Sequence, residues 1–262
     1  MEKYVVFSDL HGRHELLENC LKKYGQDVAY VSNGDAINSP RFGNAKKSVQ
    51  LLLDIGAVGI YGNHEWTLSA SINEPSEEER GLWVQHIWPH YHRHMLGAYG
   101  LKDLPLAPKT NQAMESMKNL KEAIHASGHN KFYENLKFYH ETDEFLAIHA
   151  GISSHVPWHG TDGQKERLDN LSVKSTSQVS WSSGPVQVFD TPGFDLSNSL
   201  EVPEFFDKVL ITGHSHTSEK ADTRVTDNGK RVRLAGELVE ESPLFVWESW
   251  TCLVVPIHPN TY

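Results

Sequence analysis

The stretch Tyr4-Val5-Val6-Phe7-Ser8-Asp9-Leu10-His11-Gly12 decides the fold class. Its first four residues form a short apolar run that gives way to polar turn chemistry, the pattern of a buried strand. Behind it, Leu16, Leu17, Cys20 and Leu21 recur at helical spacing between Glu15 and Tyr24. The unit then repeats. Val28 to Val31 reads as a second strand, Ser48 to Ile55 as a helix with Val49, Leu52 and Leu53 on one side, and Val58 to Tyr61 as a third strand. Strand and helix in alternation predict β-α-β units and an α/β fold.

All three strands end on chemistry: Asp9-Leu10-His11-Gly12, Gly34-Asp35 and Gly62-Asn63-His64. In open α/β sheets the carboxyl edge of the strands is where ligands bind. Two further apolar runs, Phe145-Leu146-Ala147-Ile148 and Val209-Leu210-Ile211, deliver His149 and then His214 with His216. Strand candidates around Val232 to Leu234 and from Cys252 to Ile257 follow. The region from about 66 to 143 is polar and helical in pattern and reads as an insertion over the site. No internal repeat or low-complexity linker divides the chain, so residues 1–262 are expected to form a single domain.

Asp9 and His11 flank Leu10, and two residues apart on an extended segment their side chains point the same way. A hard oxygen beside an imidazole nitrogen suits Mn²⁺, Fe or Zn²⁺ better than an all-oxygen calcium cage. Asp35 can bridge two cations through its two oxygens. Asn63 offers a neutral carbonyl that takes a coordination position without repelling phosphate; capping the next helix is its alternative role. His149, His214 and His216 complete a seven-residue set, Asp9, His11, Asp35, Asn63, His149, His214 and His216, with each member at a strand-to-loop junction. His64 follows Asn63, which places it across the backbone from that ligand. There it is a candidate general acid, with Glu65 or Asp35 to orient it.

Composition is compatible with this and excludes other classes. Lys and Arg total 24 against 34 Asp and Glu, a formal charge of −10, which disfavours non-specific binding to nucleic acid or anionic membrane. Bound cations would reverse that sign locally, so a phosphorylated substrate remains compatible. The two cysteines, Cys20 and Cys252, match neither a disulfide framework nor a zinc spacing. With no signal-like start and no run of membrane-spanning length, the reading is a cytoplasmic protein.

Ser8-Asp9-Leu10-His11-Gly12, Gly62-Asn63-His64-Glu65 and His149-Ala150-Gly151-Ile152 resemble the calcineurin-like metallophosphoesterase superfamily. They lean toward its phosphoprotein phosphatase branch, in particular small bacterial and phage members. Val179-Ser180-Trp181-Ser182-Ser183-Gly184-Pro185 resembles that branch's leucine-tryptophan-serine-aspartate-proline block. The resemblance implies two mixed β-sheets packed face to face with helices outside. It also implies two divalent cations, Mn²⁺ foremost, with Fe or Zn²⁺ as alternatives. Asp9, His11, Asp35 and His216 would hold one and Asp35, Asn63, His149 and His214 the other. A metal-bridging hydroxide would attack phosphorus in line, and His64 would protonate the leaving group.

Two departures bear on substrate. The branch's glycine-aspartate-x-valine-aspartate-arginine-glycine block reads here Gly34-Asp35-Ala36-Ile37-Asn38-Ser39-Pro40, so the phosphate-gripping arginine is absent. Arg41 is the candidate replacement, and a solvent-facing side chain the alternative. Gly213-His214-Ser215-His216 carries histidine where the branch has proline, as in the wider superfamily's phosphodiesterases and nucleotide hydrolases.

The leading expectation is hydrolysis of phosphate monoesters, on a phosphoprotein or small metabolite. A phosphodiesterase or dinucleoside polyphosphate hydrolase with the same centre stands second. A non-catalytic scaffold for protein binding stands third, and such a scaffold would be marked by loss of the acid histidine or of a ligand. The histidines of Pro89-His90-Tyr91-His92-Arg93-His94 are expected on a polar surface or site rim, Trp66, Trp83 and Trp88 in the core, and Glu77 to Glu79 at a helix start.

Overall fold

A computed structural model of the chain describes residues 2–38, 43–73, 93–102, 104, 109–149, 208–214, 224–226, 229–236 and 241–259. Strands β1 (Tyr4–Phe7), β2 (Ala29–Asn33) and β3 (Val58–Ile60) pair in parallel, as β-α-β units require. The crossovers contain helix α1 (His14–Tyr24) and helix α2 (Ala45–Asp54). Gly25, at φ 69, ends α1 by donating its N–H to the Leu21 carbonyl, and the Asn44 side chain caps α2 by accepting the Lys47 N–H at 3.1 Å.

Helices α3 (Asn63–Asn73), α4 (Arg93–Ala98), α5 (Thr110–Ala126) and α6 (Asn130–Glu134) occupy the region read as an insertion. Its expected limits shift at both ends. Helix starts at Asn63, and Tyr139–Glu141 is strand β4, which pairs antiparallel with β5 (Phe145–Ile148). A second sheet is built on these by β6 (Val209–Thr212), β7 (Val225–Thr226) and β8 (Arg231–Arg233). With β9 (Leu244–Glu248) and β10 (Leu253–Ile257), the two mixed sheets run β10-β9-β1-β2-β3 and β4-β5-β6-β8-β7. Helices flank them, as the resemblance implied.

Strand alternation divides the core into two layers. Val6, Val31 and Ile60 face Phe145, Ala147, Ile211 and Val232 between the sheets. Val5, Phe7 and Tyr30 face the opposite way, against Leu16, Leu17, Val49 and Leu52 of α1 and α2. Each fully buried apolar side chain contributes about 1.5–3 kcal/mol, so this filling carries the sandwich. At one edge the sheets are laced together: Tyr61 donates its N–H to Lys137 O at 2.8 Å and Lys137 donates to Gly59 O at 3.0 Å. Trp66 is core, as expected, packing against Tyr61 and Phe138. Trp83, Trp88, Glu77 to Glu79, His90, His92 and the block from Val179 to Pro185 lie outside the described residues.

Strand β9 was not expected from the sequence. Leu244, Phe245, Val246, Trp247 and Glu248 are all buried, so the alternation that marks a half-exposed strand is absent.

Candidate metal centre

Where β1, β2 and β6 end, the backbone enters the left-handed region: Asp9 at φ 56, His11 at φ 47, Asp35 at φ 53 and His214 at φ 63. Among the described residues only Asn38 and Cys252 join these four as non-glycine residues with positive φ. That conformation costs about 1–2 kcal/mol per residue, and its concentration at expected ligands marks the functional site. It also corrects the expectation for Asp9 and His11. Their convergence comes from two left-handed residues at a turn, where Gly12 at φ 75 also bends, and not from an extended segment. Asp9 N–H to Gly34 O (3.1 Å), His11 N–H to Asp35 O (2.8 Å) and Gly12 N–H to Ala36 O (2.8 Å) prolong the β1–β2 pairing into the two loops.

Asp35 is the hub. Its Oδ2 lies 3.8 Å from His11 Nε2, 3.8 Å from His64 Nε2 and 3.3 Å from His149 Nε2. Asp9 Oδ1 stands 3.8 Å from His11 Nε2, and its Oδ2 accepts the His214 N–H at 3.1 Å. Asn63 Oδ1 is 3.3 Å from His149 Nε2 and 3.0 Å from His214 Nδ1. Two overlapping donor groups result, His11 with Asp35 and His64, and Asp35 with His149 and His214, each with its donor atoms within 4.8 Å of one another. Six of the seven expected ligands are thereby brought together. His216 and the candidate substrate ligand Arg41 lie outside the described residues.

His64 departs from its expected side of the backbone. Asn63 and His64 open helix α3, where successive side chains are about 100° apart and not opposed, so both reach the cluster. The His64 side chain is 14% exposed, whereas those of Asp35, His11 and His149 are 4% or less.

Charge balance in the cluster favours a cation. Burial works to raise the Asp35 carboxyl, but His149, His64 and His11 hold it well below the carboxylate range. Asp9 is likewise lowered, burial being outweighed by His11 and His149. Burial works against a charged His149, yet Asp35, Asp9 and the Asn33 carbonyl lift it to about 10. Burial, with His11 and His149 nearby, drives His64 down to about 3 despite the opposing pull of Asp35. The carboxylates thus stay ionised and hold protons on neighbouring imidazoles, the positive charge that metal ions would supply instead. Carboxylate and carbonyl oxygens with imidazole nitrogens form a donor set for divalent transition metals. The close approach is built in by glycine: a Cβ on Gly34 would collide with the His149 ring, one on Gly62 with the Asp35 carboxylate, and one on Gly213 with Ser8 and Asp9.

The sequence reading missed what holds these ligands. Glu65, fully buried, does not orient His64. Its Oε2 accepts the N–H groups of Asp35 (2.9 Å) and Gly62 (3.0 Å), and its Oε1 those of Ala36 (2.9 Å) and Ile37 (3.1 Å). Arg13 sits beneath the first loop, donating to Leu10 O (3.2 Å), Asp9 O (3.1 Å) and Ser242 O (3.1 Å). A charged residue directly after two of the ligand motifs was the available signal: Glu65 after Gly-Asn-His and Arg13 after Asp-x-His-Gly.

Carboxylates and imidazoles gathered at strand ends equip a metal-dependent hydrolase. The calcineurin-like phosphoesterase profile matches residues 2–218, and the chain belongs to that family. It is therefore a phosphoesterase of a binuclear metal-dependent kind. A solved candidate diadenosine tetraphosphatase aligns at 13% identity over 100% of this chain and 95% of its own, with a TM-score of 0.51. A metallophosphoesterase from Sphaerobacter thermophilus aligns at 13% identity over 98% and 87%, with a TM-score of 0.47. The cold-active protein-tyrosine phosphatase of a psychrophilic Shewanella sp. aligns at 14% over 98% and 80%, with a TM-score of 0.48. At 13% identity the likeness to the first of these is one of fold. No curated protein matches the sequence.

Proposed function

We propose that this phosphoesterase hydrolyses phosphate monoesters, on a phosphoprotein or small metabolite, with His64 as general acid. One observation supports the reading: Asp35 Oδ2 stands within 3.8 Å of imidazole nitrogens from three separate segments, His64 among them. Asp9, His11, Asp35 and His216 would hold one divalent cation and Asp35, Asn63, His149 and His214 the other, with Mn²⁺ foremost. Bound cations supply Lewis-acid charge and a nucleophile at neutral pH.

The protein's own part is positioning and proton transfer. His64 Nε2 faces the cluster, 3.8 Å from Asp35 Oδ2, where it would meet a leaving alkoxide or phenoxide. Burial keeps its ring neutral in the free enzyme, and Asp35 is the group that pulls toward the charged form. As general acid His64 would take a proton from solvent as the negative charge of a phosphate arrives, and would give it to the leaving oxygen.

A second reading, cleavage of diesters or dinucleoside polyphosphates, is favoured by Ser39, which stands where the phosphatase branch has its phosphate-gripping arginine. The scaffold reading lacks its mark, since His64 and all seven ligand positions are present. Among the described residues no helix is long and apolar enough to cross a membrane; a cytoplasmic location is part of the proposal.

The deciding assay is purified full-length protein with added Mn²⁺ on p-nitrophenyl phosphate, bis-p-nitrophenyl phosphate, a phosphopeptide and a dinucleoside polyphosphate. Turnover of the monoesters is expected. Preference for the diester or the dinucleotide replaces the first reading with the second, and no turnover on any of them removes both.

A further inference from the structure

Asn33 closes β2 at a position where alternation calls for an apolar side chain. Val31, two residues earlier on the same face, lies in the core between the sheets. Asn33 is 0% exposed, and a buried carboxamide is costly unless it is hydrogen-bonded. Its bonds cross to the second sheet. Nδ2 donates to Ile148 O at 3.4 Å and to Ile211 O at 3.3 Å, the carbonyls near the ends of β5 and β6. Only an NH₂ group can satisfy two carbonyl oxygens, so these partners fix the orientation of the amide.

Its backbone carbonyl is used as well. Ser8 Oγ donates to Asn33 O at 2.7 Å, and His149 Nδ1 lies 2.8 Å from it. With Nδ1–H directed at that carbonyl, His149 turns Nε2 toward Asp35 and Asn63. One residue thus touches the segment leading to Asp9, adjoins Gly34-Asp35, orients His149 and grips the strand leading to His214.

We propose that Asn33 is a positioning residue that sets the second sheet's ligands, His149 and His214, in register with the carboxylates of the first. The proposal rests on the two-cation reading above. Asp9, His11 and Asp35 come from the first sheet and are laced to each other directly, so they do not need Asn33. His149 and His214 must cross from the other sheet, and the Asn33 carboxamide bonds to the strands that carry both of them.

The test is Mn²⁺ titration of the full chain, followed by calorimetry and by metal analysis after desalting. The unmutated protein is expected to take up two ions. Asn33→Leu, similar in shape but without the donor, is expected to retain one and to bind the other about 10- to 100-fold more weakly. Unchanged uptake of both ions overturns the proposal, and so does equal weakening of both in a folded variant, which would make Asn33 general scaffolding. If Asn33→Leu does not fold, NMR of the unmutated chain decides. Slow exchange of the Asn33 carboxamide protons, with coupling across to the Ile148 and Ile211 carbonyls, is expected, and free exchange overturns it. No uptake by the unmutated chain removes the two-cation reading and this inference together, whereas two ions in both proteins removes this inference alone.

Discussion

The backbone N–H of Asp35 donates to Glu65 Oε2 at 2.9 Å, so the hub of the centre is held by a carboxylate thirty residues further along the chain. That carboxylate also collects the N–H groups of Ala36, Ile37 and Gly62. Its removal strands four buried donors, and each unsatisfied group costs about 1–3 kcal/mol. Glu65→Ala is expected to lose at least about 3 kcal/mol in urea unfolding, and Glu65→Gln, which keeps an acceptor, less. A loss below about 1 kcal/mol for Glu65→Ala would show that water replaces the carboxylate and that the loop is not held as described.

His64 and Asp35 are expected to fail in opposite ways. His64→Ala should lower turnover about 10²-fold or more with metal content unchanged, the size of a lost general acid. Asp35→Asn should empty both cation positions, because one carboxylate serves both donor groups. Metal analysis beside the rate measurement separates the two; loss of metal in His64→Ala would make His64 a ligand.

Cation binding is expected to strengthen as pH rises. His149, lifted to about 10 chiefly by Asp35, carries a proton at neutral pH in the metal-free chain, and a cation must displace it. One proton released corresponds to about tenfold in apparent affinity per pH unit, with affinity lost as pH falls. Calorimetric titration in buffers of different ionisation enthalpy between about pH 6 and 8 reads the released proton directly. An affinity independent of pH and buffer would contradict the protonated His149.

His129 makes a second pH prediction. Nδ1 lies 2.9 Å from Tyr99 OH and Nε2 3.0 Å from Gln50 Oε1, and the neutral ring serves both by accepting from the hydroxyl and donating to the amide oxygen. Burial, aided by Lys46, lowers it from 6.5. The unfolded chain therefore takes up the proton first. Stability is full above about 6.5 and falls as pH drops through the depressed folded value. Urea unfolding between about pH 8 and 5 should show a steeper decline for the parent than for His129→Gln. Parallel curves would mean that the ring titrates freely.

Much of the centre was legible because ligands fall where apolar strands stop, and apolar runs such as Tyr4–Phe7 and Phe145–Ile148 are easy to bound. The fold was less legible wherever alternation failed. Strand β9, buried along its whole length, and β4, short and polar, carry no period-two signal. Side-chain direction was the weakest inference. Asp9, His11 and His64 all reach the cluster, but by left-handed turns and a helix start that residue spacing alone does not encode. Asn33 and Glu65 escaped for a related reason, since their partners are distant in sequence and are mostly main-chain atoms.

The left-handed backbone at Asp9, His11, Asp35 and His214 sets catalysis against endurance. Glycine would adopt each of those conformations without the steric cost that any other residue incurs. A lineage selected only for heat tolerance would therefore drift toward glycine at these four positions and lose the side chains proposed to hold the cations. An inactive descendant of this chain is then expected to change first at these four positions.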